Sequence, residues 1–123
     1  MELAKPSELS PAVWDIVRVD FPYADQAATR RRPALIVAVP DIHDDFAILW
    51  LLMITSARHT PWPFDVPVSD LRGTGLSHGC VVRTAKIAVL DAQLAVRIGE
   101  LATADRTQVR ENLREVLDLV LRD

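Results

Sequence analysis

The sequence predicts a mainly β fold, a small, curved, mostly antiparallel sheet or open barrel, closed off by one C-terminal helix. Two observations carry this. Between residues 13 and 100 short β-branched and apolar runs alternate with turn-forming segments, and from Thr103 the apolar spacing changes from two to three and four. With 123 residues and no internal repeat, a single domain over 13–123 is expected, preceded by a tail over 1–12 that holds Pro6 and Pro11.

The elements follow in order. "VWDIVRVDF", Val13 to Phe21, sets Val17, Val19 and Phe21 on one face and Ile16, Arg18 and Asp20 on the other, the period of a half-buried strand. A loop, "PYADQAATRRR", leads to "PALIVAV", Pro33 to Val39, which is continuously apolar and reads as a strand covered on both faces. "DIHDD" turns the chain into a third strand, "FAILWLLMI", Phe46 to Ile54. After "TSARHT" and "PWP", "FDVPV" alternates from Phe64 to Val68, but Pro67 restricts it to an edge or a bulge. A glycine-bearing loop precedes "CVVRTAKIAVL", Cys80 to Leu90, one long strand or two short ones, and "AVRIGEL" is a further strand. The helix starts with Thr103 as N-cap and Asp105 in its first turn, and carries Val109, Leu113, Val116, Leu117, Val120 and Leu121 on its apolar face.

Half the residues are hydrophobic and a quarter charged, a globular balance far from the disordered range. A net charge of -3 argues against nucleic-acid binding through overall charge. The charge is uneven, however. Arg30, Arg31, Arg32, Arg58, Arg72, Arg83 and Lys86 lie between two carboxylate-rich ends, so a local basic surface is available. One cysteine, Cys80, allows no intramolecular disulfide, which fits a reducing compartment. The N-terminus does not read as a secretion signal, and the longest apolar run, 46–54, falls far short of the roughly 20 residues of a membrane helix. A cytoplasmic location is expected.

Most isolated motifs have plain readings. "DIHDD", 41–45, reads as a polar turn and not as a metal site, and "HGC", 78–80, as the start of a strand with Cys80 in the core. Trp14 and Trp50 read as core residues, whereas Trp62, between two prolines, suits contact with a partner.

Taken together, "WDIVRVDFPYADQ", "RRRPALIV", "LLMITSA" before "WPFDVPV", and "VVRTAKIAVLD" resemble, in this order, the MazF/PemK family of toxins from type II toxin–antitoxin systems. The resemblance spans roughly residues 13–120. It implies a small SH3-like β-barrel of the MazF/PemK/CcdB toxin type with a C-terminal helix, usually a homodimer. It also implies a metal-independent endoribonuclease without cofactor, an mRNA interferase that cuts single-stranded RNA at a preferred sequence. The partners implied are RNA, a cognate antitoxin and, for the toxin–antitoxin complex only, operator DNA. By the same resemblance the catalytic residues are Arg32, directly before Pro33, and Thr55 with Ser56 beside it, with Arg83 of "VVR" as a further candidate. Asp25 and Gln26 match an acidic-Gln pair in the first loop. Two features depart from the pattern: Trp14-Asp15 stands where Gly-Asp is common, and Ala85-Lys86 where some members place a carboxylate base.

The chemistry suits these residues. Cleavage by the strand's own 2′-hydroxyl, which only RNA has, needs a base, stabilisation of charge on the phosphoryl oxygens and in-line geometry. A guanidinium offers a permanently charged planar fork that matches phosphate, so Arg32 is assigned to electrostatic stabilisation. Thr55 can donate to a phosphoryl oxygen or orient the 2′-hydroxyl. The base is open between Asp25, His59 and water. Arg30, Arg31, Arg83 and Lys86 can contact phosphates, and Trp62, Phe64 and Tyr23 can stack on bases. Two rival classes exist: a non-catalytic toxin or binding module of the gyrase-poison type, to which Ala85-Lys86 lends weight, and a metal-dependent nuclease built on "DIHDD".

Overall fold

The computed structural model describes residues 10–21, 30–42 and 47–122. The six strands are β1 (Asp15–Phe21), β2 (Arg30–Ala38), β3 (Ile48–Ser56), β4 (Asp65–Pro67), β5 (Cys80–Asp91) and β6 (Ala95–Glu100), followed by one helix, α1 (Thr103–Val120). The strands form one sheet in the order β4-β5-β3-β2-β1-β6, and every neighbouring pair is antiparallel. The mainly β fold with a C-terminal helix is therefore as expected.

The sheet has to curl. β5 and β6 are four strand positions apart, which in a flat sheet is about 19 Å. Only the short helical turn Ala92–Leu94 joins them, and the four residue steps from Asp91 to Ala95 reach at most about 14 Å. Curling brings the ends of the sheet toward each other and buries both faces. On one face Ile16, Leu35, Leu52, Ile54, Val66 and Val82 pack with Leu101, just before the helix, and with Val109 of α1. On the other, Val17, Val19, Ala34, Ile36, Leu49, Leu51 and Met53 pack on one another with Leu90 and Ala95 at the margin. β1 is thus buried on both sides, with Ile16 as well as Val17 and Val19 in the core, where alternation alone gave a half-exposed strand.

Among the described residues the edge strands β4 and β6 are not hydrogen-bonded to each other. The loop after β4 closes the gap instead. Gly73 O accepts from the Glu100 amide at 2.9 Å, and Gly75 and Gly99 let the two backbones meet. This covers the β6 edge, which would otherwise offer unsatisfied ladder groups to another chain.

Several boundaries differ from expectation. β1 begins at Asp15, because Trp14 takes a positive φ of 79°. β2 begins at Arg30, so the three arginines lie inside the strand and not in the loop before it. β5 is one strand, but its register against β3 jumps between Leu52, opposite Ile87, and Met53, opposite Arg83, so residues 84–86 bulge out. Thr103 is the first helical residue and not the cap. Ala102 occupies the N-cap without a side-chain bond, and the Asp105 carboxylate accepts instead from the Ser69 amide at 3.0 Å. Val120 and Leu121 are exposed, so the apolar face of α1 ends sooner than its spacing suggests. Trp50, expected in the core, is instead 37% exposed.

Candidate nucleic-acid interface

The candidate site forms where β2 begins and β3 ends. Ala34 faces Met53 at the end of the β2–β3 ladder, and Arg32 and Thr55 lie two residues beyond it, one on each strand. Side chains two apart on a strand share a face, so Arg32, paired with Val19, and Thr55, two residues from Met53, both lie on the side of the sheet away from α1. Pro33 directly follows Arg32 and faces Arg18 of β1, fixing the local backbone at the strand mouth. Arg32 is partly buried, and its β1 neighbour is Val19.

Arg31 does not share the environment of Arg32. Arg31 faces Asp20 across β1–β2 and its Nε donates to the Asp20 carboxylate at 3.1 Å, an exposed pair. Such a pair contributes little to stability, but it holds Arg31 alongside the strand. Arg30 faces Phe21 at the end of the ladder.

β3 ends in a tight turn that fixes Thr55. The His59 amide donates to Ser56 O at 3.1 Å, the Ala57 amide to Gly79 O at 3.0 Å, and the Arg58 amide to Ser56 Oγ at 3.2 Å. Ser56 therefore serves the turn as an acceptor. The turn brings His59 back over the strand end, where its Nδ1 lies 2.6 Å from Thr55 Oγ1. Sequence alone did not place His59 beside Thr55. The signal is the four-residue spacing, which becomes informative only once the strand is seen to stop at Ser56.

Arg83 sits in a different kind of place. Only 7% exposed, it faces Asp65 across β4–β5, and its Nε and Nη2 donate to the two carboxylate oxygens of Asp65 at 3.1 Å each. Nη2 also donates to Thr60 O at 3.0 Å, and the guanidinium carbon lies 4.4 Å from the centroid of the Trp62 ring. Asp65 in turn accepts from the Trp62 amide at 2.9 Å. Arg83 thus ties Thr60 and Trp62 of the β3–β4 connection to Asp65, the first residue of β4. Sequence reasoning missed Asp65, because the pair spans 18 residues and only the β4–β5 register brings it together.

The same connection is anchored from below. Phe64, with a positive φ of 70°, presents its carbonyl to the Thr84 hydroxyl and to Asn112 Nδ2 of α1. Trp62 remains 42% exposed. Lys86 and Ala85 stand exposed on the β5 bulge. Asp25, Gln26 and Tyr23 lie outside the described residues, as do His43, Asp44 and Asp45 of the "DIHDD" turn. Among the described residues no cluster of three or more His, Cys, Asp or Glu could hold a metal ion.

Chemically, this arrangement offers a guanidinium and a hydroxyl from adjacent strands on one face, an imidazole bonded to that hydroxyl, and an exposed indole on a fixed loop. It is suited to a polyanion whose bases can be splayed out and stacked.

Comparison with known proteins agrees with this fold. No match is found among curated protein sequences. Solved structures with the same fold include an endoribonuclease in complex with its cognate antitoxin from a mycobacterial species, at 22% identity and a TM-score of 0.68, with 89% of this chain and 97% of that one covered. Another is the MazE–MazF complex of Deinococcus radiodurans, at 22% identity and a TM-score of 0.65, covering 87% and 95%. A third is the Mycobacterium tuberculosis toxin MazF-mt6, at 19% identity and 0.64, covering 85% and 96%. The model of the PemK-like, MazF-like toxins of type II toxin–antitoxin systems matches residues 12–117, nearly the whole described chain, and the protein belongs to that family.

Proposed function

We propose that this toxin is a metal-independent endoribonuclease that cleaves single-stranded RNA, mRNA in the cell, by attack of the 2′-hydroxyl on the adjacent phosphorus. The products are a 2′,3′-cyclic phosphate and a 5′-hydroxyl. The observation that carries this reading is that Arg32 of β2 and Thr55 of β3 each lie two residues past the Ala34–Met53 pair, on the face away from α1. Arg32 supplies the charged fork for the phosphoryl oxygens, and Thr55 supplies a hydroxyl donor held by the rigid end of a buried strand. Arg83, fully engaged with Asp65, Thr60 and Trp62, is assigned to positioning the loop and not to the phosphate. Arg31, one residue from Arg32, lies by alternation on the other face of the sheet, paired with Asp20, and Trp62 offers a surface on which a base can stack.

The partners follow from the family and from the surface. A cognate antitoxin would block the RNA face. A second copy of the chain would cover Trp50, Ile87 and Val89. These three lie on the α1 side of the sheet, where Trp50 faces Val89 and Ile87 faces the core residue Leu52, yet all three are exposed. No helix among the described residues is long and apolar enough to cross a membrane. RNA as substrate places the toxin's action in the cytoplasm.

The gyrase-poison reading keeps one specific observation in its favour: the β5 bulge presents Ala85 and Lys86, and no carboxylate, to solvent. One assay decides. Single-stranded RNA of mixed sequence is incubated with the toxin in excess chelator and the new ends are analysed. Cyclic-phosphate ends that vanish with Arg32→Ala and Thr55→Ala support the endoribonuclease. Growth arrest with every RNA left intact supports the non-catalytic toxin, and cleavage only after adding a divalent ion supports a metal-dependent nuclease.

A further inference from the structure

We infer that His59 is the general base of the cleavage reaction and that it forms one unit with Thr55; this inference rests on the endoribonuclease reading above. The sequence leaves three sources of a base, Asp25, His59 and water. Of these, the structure ties His59 to a reacting-site hydroxyl, with Nδ1 2.6 Å from Thr55 Oγ1.

The geometry restricts what the pair can do. In one tautomer the Thr55 hydroxyl donates to Nδ1. Its proton is then withheld from a phosphate, and the other ring nitrogen, Nε2, carries a hydrogen and cannot accept one. In the other tautomer Nδ1–H donates to Thr55 Oγ1. The hydroxyl proton of Thr55 is then free to point at a phosphoryl oxygen, and the Nε2 lone pair is open as a proton acceptor. Only this second arrangement gives Thr55 a donor role and supplies a base at once. Among the described residues Nε2 has no hydrogen-bond partner, and His59 is exposed, so a ribose hydroxyl can reach it. Imidazole is also the side chain best suited to take up and release a proton near neutrality.

The turn makes the unit stiff. The His59 amide is bonded to Ser56 O and the Ala57 amide to Gly79 O, so His59 and Thr55 keep their relation across one closed turn at the end of β3. The departure at Ala85 is thereby answered: a base on β5 is not needed when the β3 turn supplies one.

The step balances as follows. Nε2 takes the proton of the 2′-hydroxyl, and the 2′-oxygen forms its bond to phosphorus. The P–O5′ bond breaks with its electron pair going to O5′, and O5′ takes a proton from water. The resulting hydroxide takes the proton from the imidazolium, so no water is consumed and His59 is restored. Arg32 and the Thr55 hydroxyl face the phosphoryl oxygens throughout.

The test compares His59→Ala and His59→Asn with the wild type on single-stranded RNA in excess chelator. The asparagine amide can occupy the Nδ1 position and keep the bond to Thr55, but it has no basic Nε2. A base role predicts a loss of about 10²-fold or more in both His59→Ala and His59→Asn, unchanged thermal unfolding, and partial recovery of His59→Ala by added imidazole. His59→Asn that cleaves within about threefold of wild type overturns the inference, since the hydrogen bond to Thr55 is then all that His59 provides. Failure of imidazole to raise the rate of His59→Ala counts against it in the same way. A wild-type chain that cleaves no RNA removes the endoribonuclease reading and the base with it, whereas wild-type cleavage with an active His59→Asn removes the base alone.

Discussion

Asp65 and Arg83 face each other directly across β4 and β5 and meet in a two-point ion pair at 3.1 Å, both side chains about one-tenth exposed or less. The pair is enclosed by the Trp62 ring above the guanidinium and by the Thr60 carbonyl beside it. Removing one partner of such a pair leaves the other charge buried and uncompensated, at a cost of about 3–5 kcal/mol. Asp65→Ala should therefore lower the unfolding free energy in urea by about that amount. Replacing both together, Asp65→Leu with Arg83→Met, should recover most of the loss. RNA cleavage should not recover in step, because the double variant no longer holds Thr60 and Trp62 in place. An Asp65→Ala protein as stable as wild type would show that the pair is not sealed from solvent.

The close approach of the β4–β5 loop to β6 gives a second test. A Cβ on Gly99 would collide with Gly73 O and with the carbonyl carbon and oxygen of Thr74, all backbone atoms that cannot swing aside. A Cβ on Gly73 would meet nothing within 4 Å, and the obstacle there is only its φ of 77°. Gly73→Ala should cost about 1–2 kcal/mol in thermal or urea unfolding, the penalty of the left-handed region. Gly99→Ala should cost more than Gly73→Ala, with the loop detached from the β6 edge and amide exchange at Glu100 accelerated. The reverse order of the two variants would refute the claim that this loop closes the sheet.

How much of this was legible depended on whether the information is local. The strands were visible because β-branched runs and alternation are local properties, and Pro67 marked β4 as an edge, which it is. The start of α1 was misread by one residue because Thr103 looks like a cap. The Asp105 carboxylate that secures this end instead finds its donor at Ser69, 36 residues away. Arg32 and Thr55 could be named from motifs, but not that both stand just past the end of the β2–β3 ladder, which only that ladder's register shows. Nor could the burial of Arg83 be read, since an arginine between apolar residues looks the same whether it faces a phosphate or a carboxylate from another strand. The exposure of Trp50 was hidden as well, because alternation gives a residue's face but not whether anything packs on it.

Cys80 opens β5 in the core, where burial pushes its thiol above the ordinary range and its Sγ donates to His78 O at 3.2 Å. The folded state therefore holds the proton more tightly than the unfolded chain, whose thiol titrates near about 8.5. The corresponding stability is fully present below that value and is lost as pH rises through the folded thiol's own pKa. The urea midpoint of the wild type should thus fall more steeply above about pH 8.5 than that of Cys80→Ala, measured in parallel. Thiol labelling of the native protein at neutral pH should proceed only as fast as the protein opens. Parallel slopes for the two proteins together with rapid native labelling would mean that the thiol is not buried.

The apolar group on the α1 side of the sheet provides the last test. Trp50, Ile87 and Val89 share that face with Leu52, and Val89 is 55% exposed in the isolated chain. Contiguous aromatic and β-branched side chains left open at the end of a curled sheet are the composition of an interface core and not of a solvated surface. If two copies meet here, a carboxylate placed at its centre is desolvated without a partner, which costs several kcal/mol. Val89→Glu should then weaken self-association about 100-fold or more, about 2.7 kcal/mol. Light scattering behind a sizing column would show the variant at the mass of one chain at concentrations where the wild type elutes at twice that mass. The fold should survive, because Val89 contributes little to either core within one chain. A Val89→Glu protein that remains dimeric at every concentration would move the interface to another face of the sheet.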